Sequence, residues 1–228
     1  MKRECSESKD SPRAWLMLSL AVALSYAASK YPVLPLDLQS YQELQEEANP
    51  LFNILMQGVS YLGETQIAMA LVAITAAIFA LRRQWLEAIF ILATTSSVLL
   101  TFALKEIVHR ARPFPAAENA TELVQTINQY SYPSGHVLFF VVFFGFVAYL
   151  AWMNSTGRVR IIVIFTCAAL IILIGPSRVF LGAHWTSDVI GSYIIGTIWL
   201  FILIFAHQLA IRRKVSGLAS GTPIGHSK

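Results

Sequence analysis

Six long runs of apolar residues, separated by polar breaks, restrict this chain more than any other feature. They lie at about Ala14–Ser29, Thr65–Leu81, Trp85–Leu104, Val137–Met153, Ile161–Ile174 and Val189–Ala206. Their apolar residues are continuous rather than striped at helical or strand spacing, and over the whole chain 56% of residues are hydrophobic and 13% charged. Such runs enter a bilayer. Backbone left unpaired in lipid is too costly, so each run must be helical. The expected fold is an all-α integral membrane bundle of six transmembrane helices. Several runs fall short of the roughly 20 residues needed to cross a bilayer perpendicularly, so their ends are expected to shift by a few positions.

Cation placement orients the bundle. With the N-terminus cytoplasmic, the inner segments hold Lys2, Arg3, Lys9, Arg13, Arg82, Arg83, Arg158, Arg160, Arg212, Arg213, Lys214 and Lys228, 12 of the 17 Lys and Arg residues. The outer side holds Lys30, Lys105, Arg110, Arg112 and Arg178. This bias predicts cytoplasmic N- and C-termini. It also explains the net charge of +4 without a nucleic-acid partner.

One domain is expected over residues 1–228, with a cytoplasmic tail at 1–13, an extracytoplasmic connection at 30–64 and a disordered tail at 215–228. The first apolar run reads as a span, with a cleaved signal peptide as the competing reading because of the small residues Ala21, Ala23, Ser25 and Ala27. The connection is acidic and proline-containing and is expected to carry an amphipathic helix along the membrane surface, either as a plain linker or as a flap over a site. Cys5 and Cys167 lie in a polar tail and an apolar run, so neither a disulfide nor a metal site is expected from them. Asn119-Ala120-Thr121 matches a glycosylation acceptor pattern.

Three polar stretches fall at the outer ends of the runs. In KEIVHRARPF, Lys105 and Arg112 are seven residues apart, close to two helical turns, so both could lean towards one anion before Pro113 ends the helix. His109 and Arg110 read as interfacial anchors. In YPSGHV, Ser134 is a candidate N-cap, and Gly135 lets a ligand approach the free N–H groups of a helix start beside His136. In SRVFLGAHWTSD, His184 and Asp188 are four apart, one turn on a helix, so the carboxylate could orient the imidazole. Gly182 permits a break that brings Arg178 back towards the histidine.

The ordered set K-x6-RP, PSGH and SR-x5-H-x3-D resembles the signature of the type 2 phosphatidic acid phosphatase superfamily. Lys105, Arg112 and Pro113 match its first element, Pro133 to His136 the second, and Ser177, Arg178, His184 and Asp188 the third. The resemblance runs from Lys105 to Asp188 in motifs and, through the six-span plan, over most of the chain.

It implies that His184 attacks phosphorus, that Asp188 holds its tautomer, and that His136 protonates the leaving oxygen and later activates water. Lys105, Arg112, Ser134, Gly135 and Arg178 would hold the phosphoryl oxygens. No cofactor or metal is expected, because three neighbouring cations oppose a divalent ion. The implied substrate is a phospholipid or isoprenoid lipid phosphate: phosphatidic acid, phosphatidylglycerol phosphate or undecaprenyl diphosphate. A lipid phosphotransferase with the same site, and a non-catalytic transporter or scaffold keeping the six-helix plan, are the alternatives.

Overall fold

The computed structural model describes residues 11–46, 49–113 and 130–220. Among them the chain is helical, with one isolated bridge between Ala111 and Tyr130. The helices are α1 (Ser11–Lys30), α2 (Pro35–Glu46), α3 (Pro50–Tyr61), α4 (Thr65–Leu81), α5 (Trp85–Ala93), α6 (Ser96–Val108), α7 (Gly135–Asn154), α8 (Gly157–Phe180) and α9 (Thr186–Ser220). The described residues include four segments long and apolar enough to cross a membrane, or up to six if each of two bent helix pairs counts as one span.

Helix α4 coincides with its apolar run, and the others outrun theirs. Polar residues at the membrane surface still satisfy their backbone inside the helix, so hydropathy ends before the helix does. The largest difference is at the C-terminal end. Helix α9 continues through Arg212, Arg213 and Lys214 to Ser220, which corrects the expectation of disorder from residue 215. Arg and Lys are good helix formers, and extending an existing helix adds a bond without a new nucleus. Most of the expected N-terminal tail, Cys5, the Asn119 triplet and residues 221–228 lie outside the described residues.

The acidic connection holds two helices where one was expected. The chain bends by 88° between α1 and α2 and by 62° between α3 and α4, and Pro32 and Pro35 mark the first bend. Helix α3 starts at Pro50 behind Asn49, whose side chain accepts from Phe52 N–H at 2.9 Å.

Helix α7 is the hub. Of its apolar window 61% is buried inside the protein, against 17% for α8, so lipid faces α8 while α7 is enclosed by neighbours. Its phenylalanines fill the centre, with Phe139 and Phe143 stacked at 5.3 Å. Gly145 admits α9 closely: a Cβ there would lie 2.5 Å from Leu200 Cδ2.

Helices α5 and α6 form one broken span of 24 residues, Trp85–Val108. At the break the hydroxyls of Thr94, Thr95 and Ser96 donate to the carbonyls of Ile91, Leu92 and Ala93 at 2.6, 2.7 and 2.6 Å. The interruption is therefore satisfied from within. The C-terminal ends of α6 and α8 and the N-terminal ends of α7 and α9 carry all the expected site residues that lie in helices. Arg82 follows the far end of α4.

Candidate active site

Helix α8 carries Arg178 in its last turn and stops at Phe180. Gly182 takes a left-handed φ of 66°, and the N–H groups of Ala183 and His184 return to the Arg178 carbonyl at 3.1 and 3.3 Å. The expected break is present, and it turns the chain back beside Arg178. His184 thus sits in the turn before α9, so the helical premise for its relation to Asp188 does not hold.

Its imidazole Nδ1 lies 2.8 Å from the Ser131 carbonyl and 3.9 Å from Asp188 Oδ2. A carbonyl only accepts, so Nδ1 carries the proton and Nε2 the lone pair. The tautomer is set by the Ser131 backbone, with the carboxylate one shell away. Asp188 is engaged elsewhere: Oδ1 accepts from Arg110, and Oδ2 accepts from the Ser131 hydroxyl and from Trp185 N–H at 2.9 Å.

The cations arrive differently from the sequence expectation. Helix α6 ends at Val108 because His109 adopts φ 53°, so Pro113 does not terminate it. Lys105 projects from the last turn of α6, whereas Arg112 follows in non-helical chain, one residue after the Ala111–Tyr130 bridge. Both belong to the site, and Arg112 Nη1 reaches the Ala183 carbonyl at 3.5 Å. Arg178 donates to the Ser60 hydroxyl, which brings α3 to the site.

Arg110 is a correction. It is 2% exposed and pairs with Asp37 and Asp188, so it is no interfacial anchor. Its neighbour His109 does lie out in the open, edge-on to Tyr130 at 4.5 Å.

Ser134 occupies the N-cap of α7, but its hydroxyl makes no capping bond. Its own N–H donates to Ser192 Oγ at 2.7 Å, which leaves the N–H groups of the first turn of α7, starting at Gly135, to face an anion. Buried side-chain atoms without a hydrogen-bond partner include Ser134 Oγ, His136 Nε2, which lies 4.0 Å from Glu64 Oε1, Arg112 Nε and Arg178 Nε, all from the expected set. Unmet donors held together by a helix start are what a phosphoryl group would satisfy. Among the described residues, no group of three or more His, Cys, Asp or Glu is placed to hold a metal ion.

Electrostatics suit a nucleophilic imidazole. Burial above all, then the fields of Arg112, Arg178, Lys105 and His136, hold His184 well below the ordinary histidine range. Protonation would consume the Nε2 lone pair, and the lowered pKa postpones that loss to more acidic pH. In an NMR titration of histidine-labelled protein, the His184 signal, assigned by its absence in His184→Ala, is expected to remain neutral at pH 6. An ordinary histidine, with a pKa of about 6.5, would be mostly protonated there. A midpoint at or above that value would contradict the cationic surroundings.

Gly63, in the turn between α3 and α4, lies against His136: a Cβ there would sit 2.3 Å from His136 Cδ2. Gly63→Ala is expected to push the imidazole aside and lower kcat by about 10- to 100-fold without unfolding the bundle, a loss typical of a small misplacement. Wild-type kcat in this variant would show that the ring tolerates displacement.

The residues that sequence reasoning missed are Asp37, Ser60, Arg110, Ser131, Ser187 and Ser192. Their partners lie between 3 and 150 positions away, and mostly beyond 50, where no local spacing reveals them.

A sequence model of the PAP2 superfamily matches residues 85–212. Phosphatidylglycerophosphatase B of Bacillus subtilis is 29% identical over 167 residues, covering 72% of this chain and 79% of that protein. An undecaprenyl-diphosphatase of Sulfolobus acidocaldarius is 31% identical over 111 residues, 47% of this chain and 48% of that one. The crystal structure of a transmembrane PAP2-type phosphatidylglycerolphosphate phosphatase from Bacillus subtilis superposes with a TM-score of 0.72 at 24% identity, over 86% of this chain and 96% of that chain. Aquifex aeolicus LpxE gives 0.54 at 22% identity, over 75% and 96%. These two share the fold. With more than half of its length matched by the family, and with apolar helices long enough to cross a bilayer, the chain belongs to the PAP2 superfamily and is an integral membrane enzyme of the phosphatase class.

Proposed function

We propose that the protein hydrolyses the phosphate monoester or diphosphate of a membrane lipid at the extracytoplasmic face, through a phosphohistidine on His184. The observation that carries this reading is the state of His184: buried, Nδ1–H committed to the Ser131 carbonyl, Nε2 left with its lone pair, and cations on several sides. In the first step Nε2 forms a bond to phosphorus as the bond to the lipid oxygen breaks, and His136 gives that oxygen a proton. In the second, His136 takes a proton from water, whose oxygen attacks phosphorus, and the N–P bond breaks to release inorganic phosphate. Lys105, Arg112, Arg178, the Ser134 hydroxyl and the first N–H groups of α7, from Gly135 onward, stabilise the oxygens in both steps. The scheme uses no metal.

Counting each bent pair as one span gives six, and the cation bias then favours both termini in the cytoplasm and the site outside. An apolar groove of about 550 Å³ runs beside the outer half of α6, walled by Ser25, Tyr26, Leu104, Val108, Ile195 and Trp199. It supports an amphiphilic substrate whose tail stays among apolar side chains. The relatives' names make phosphatidylglycerol phosphate and undecaprenyl diphosphate the first substrates to test.

The test is phosphate release by the detergent-solubilised protein in chelator, against those two lipids and phosphatidic acid. Release from at least one of them is expected, with the ranking of rates identifying the head group. Folded protein that releases phosphate from none would overturn the reading.

A further inference from the structure

Beneath the phosphate site lies a second layer of charge. Arg110 donates to Asp188 Oδ1 through Nη1 and to Asp37 Oδ2 through Nη2 at 2.7 Å, and its remaining contacts are Ser187 Oγ at 2.7 Å and the Pro32 carbonyl at 3.2 Å. Both carboxylates are fully buried. Asp37 also accepts from the N–H of Leu34 at 2.9 Å, and from the N–H and hydroxyl of Ser187 at 2.9 and 2.7 Å. A single guanidinium therefore ties three pieces together: the start of α2, the chain after α6, and the first turn of α9.

We propose that Arg110 and Asp37 are positioning residues of the hydrolysis, which hold Asp188 at its distance from His184 and make α2 part of the catalytic apparatus. This rests on the reading of His184 as nucleophile. Nδ1 has three oxygens within 4 Å, the Ser131 carbonyl at 2.8 Å, the Ser131 hydroxyl at 3.5 Å and Asp188 Oδ2 at 3.9 Å. Closer pairing with the carboxylate would raise the imidazole pKa and bring its protonation, which consumes the Nε2 lone pair, to higher pH. Arg110 restrains one carboxylate oxygen, and Ser131 and Trp185 hold the other. Asp188 is thereby kept close enough to stabilise positive charge on the ring once the N–P bond forms. Asp37 fixes Arg110 from the far side and, through Ser187, fixes the residue next to Asp188.

The charged and titratable groups facing His184 are Lys105 of α6, Arg112 after it, His136 of α7, Arg178 of α8 and Asp188 of α9, with Arg110 behind Asp188. Removing Arg110 alters the partner of Asp188 and leaves the others in position. In Arg110→Gln, kcat on the best lipid of the panel is expected to fall about 100-fold, with KM within twofold. The acid limb of kcat/KM moves to higher pH as Asp188 turns to the imidazole. Arg110→Lys, which keeps the charge but not the fork, regains part of the loss. Asp37→Asn lowers kcat about tenfold alone and adds little in the Arg110→Gln background, because the two act as one unit.

Wild-type kcat in both Arg110→Gln and Asp37→Asn overturns the proposal. So does a loss in thermal stability or KM with kcat and the pH profile unchanged, since that is a merely structural role. If Arg110→Gln does not fold, Arg110→Lys and Asp37→Asn decide by the same kcat and pH readouts. Failure of the underlying hydrolytic reading is seen separately, as wild-type protein without phosphate release.

Discussion

Replacing His184 with alanine is expected to abolish lipid phosphate hydrolysis, with kcat reduced on the order of 10⁴-fold or more, as befits removal of a nucleophile. The bundle should survive. His184 lies in the turn between α8 and α9, outside the phenylalanine core of α7, and its one close hydrogen bond is to the Ser131 carbonyl. Leaving that carbonyl without a partner costs about 1–3 kcal/mol, enough to lower the melting temperature by a few degrees. His184→Gln separates the two contributions. Its amide can still donate to Ser131, so stability should return while activity does not. Trapping with phosphate-labelled lipid should yield acid-labile protein-bound phosphate in the wild type and none in either variant. Appreciable turnover by His184→Ala would remove it from the role of nucleophile.

Asp188→Asn is expected to lower kcat by about 10²- to 10³-fold and to destabilise the fold as well, which sets it apart from the His184 variants. The carboxylate accepts from Arg110, the Ser131 hydroxyl and Trp185 N–H. An amide oxygen cannot serve all three, and its NH₂ group must face at least one donor. Arg110 keeps Asp37 as counter-charge, so the destabilisation falls towards the lower end of the roughly 3–5 kcal/mol seen when a buried ion pair is broken. Thermal unfolding and kcat measured on the same preparation check both parts. Full activity in Asp188→Asn would exclude the carboxylate from the catalytic machinery.

The groups proposed to face phosphate are legible in the sequence because they sit at the ends of apolar runs, where a cation, a histidine or a Ser-Gly pair stands out against hydrophobic surroundings. Lys105, Ser134, His136, Arg178 and His184 were named for that reason. What lay behind them was hidden. Asp37 looks like one of several acidic residues in a polar linker, and Arg110 like one of several cations beside the membrane. Burial distinguishes them, and burial depends on a contact 73 residues away. Helical spacing misled at two points. Lys105 and Arg112 are not two turns of one helix, because His109 ends it in a left-handed conformation. His184 and Asp188 are not one turn apart on a helix, because the turn at Gly182 delays α9 until Thr186. The spacing was right about which groups meet and wrong about the backbone that brings them together.

The interruption between α5 and α6 bears on how the cationic cluster is assembled. A straight span would carry any tilt of its Trp85 end through to Lys105. With the rod divided at Thr94 to Ser96, and with Trp199 of α9 donating to Ser96 at the joint, the half that carries Lys105 is tied to the protein where it starts. A joint of this kind lets the two halves tilt separately, so packing around α6 can set the direction of Lys105.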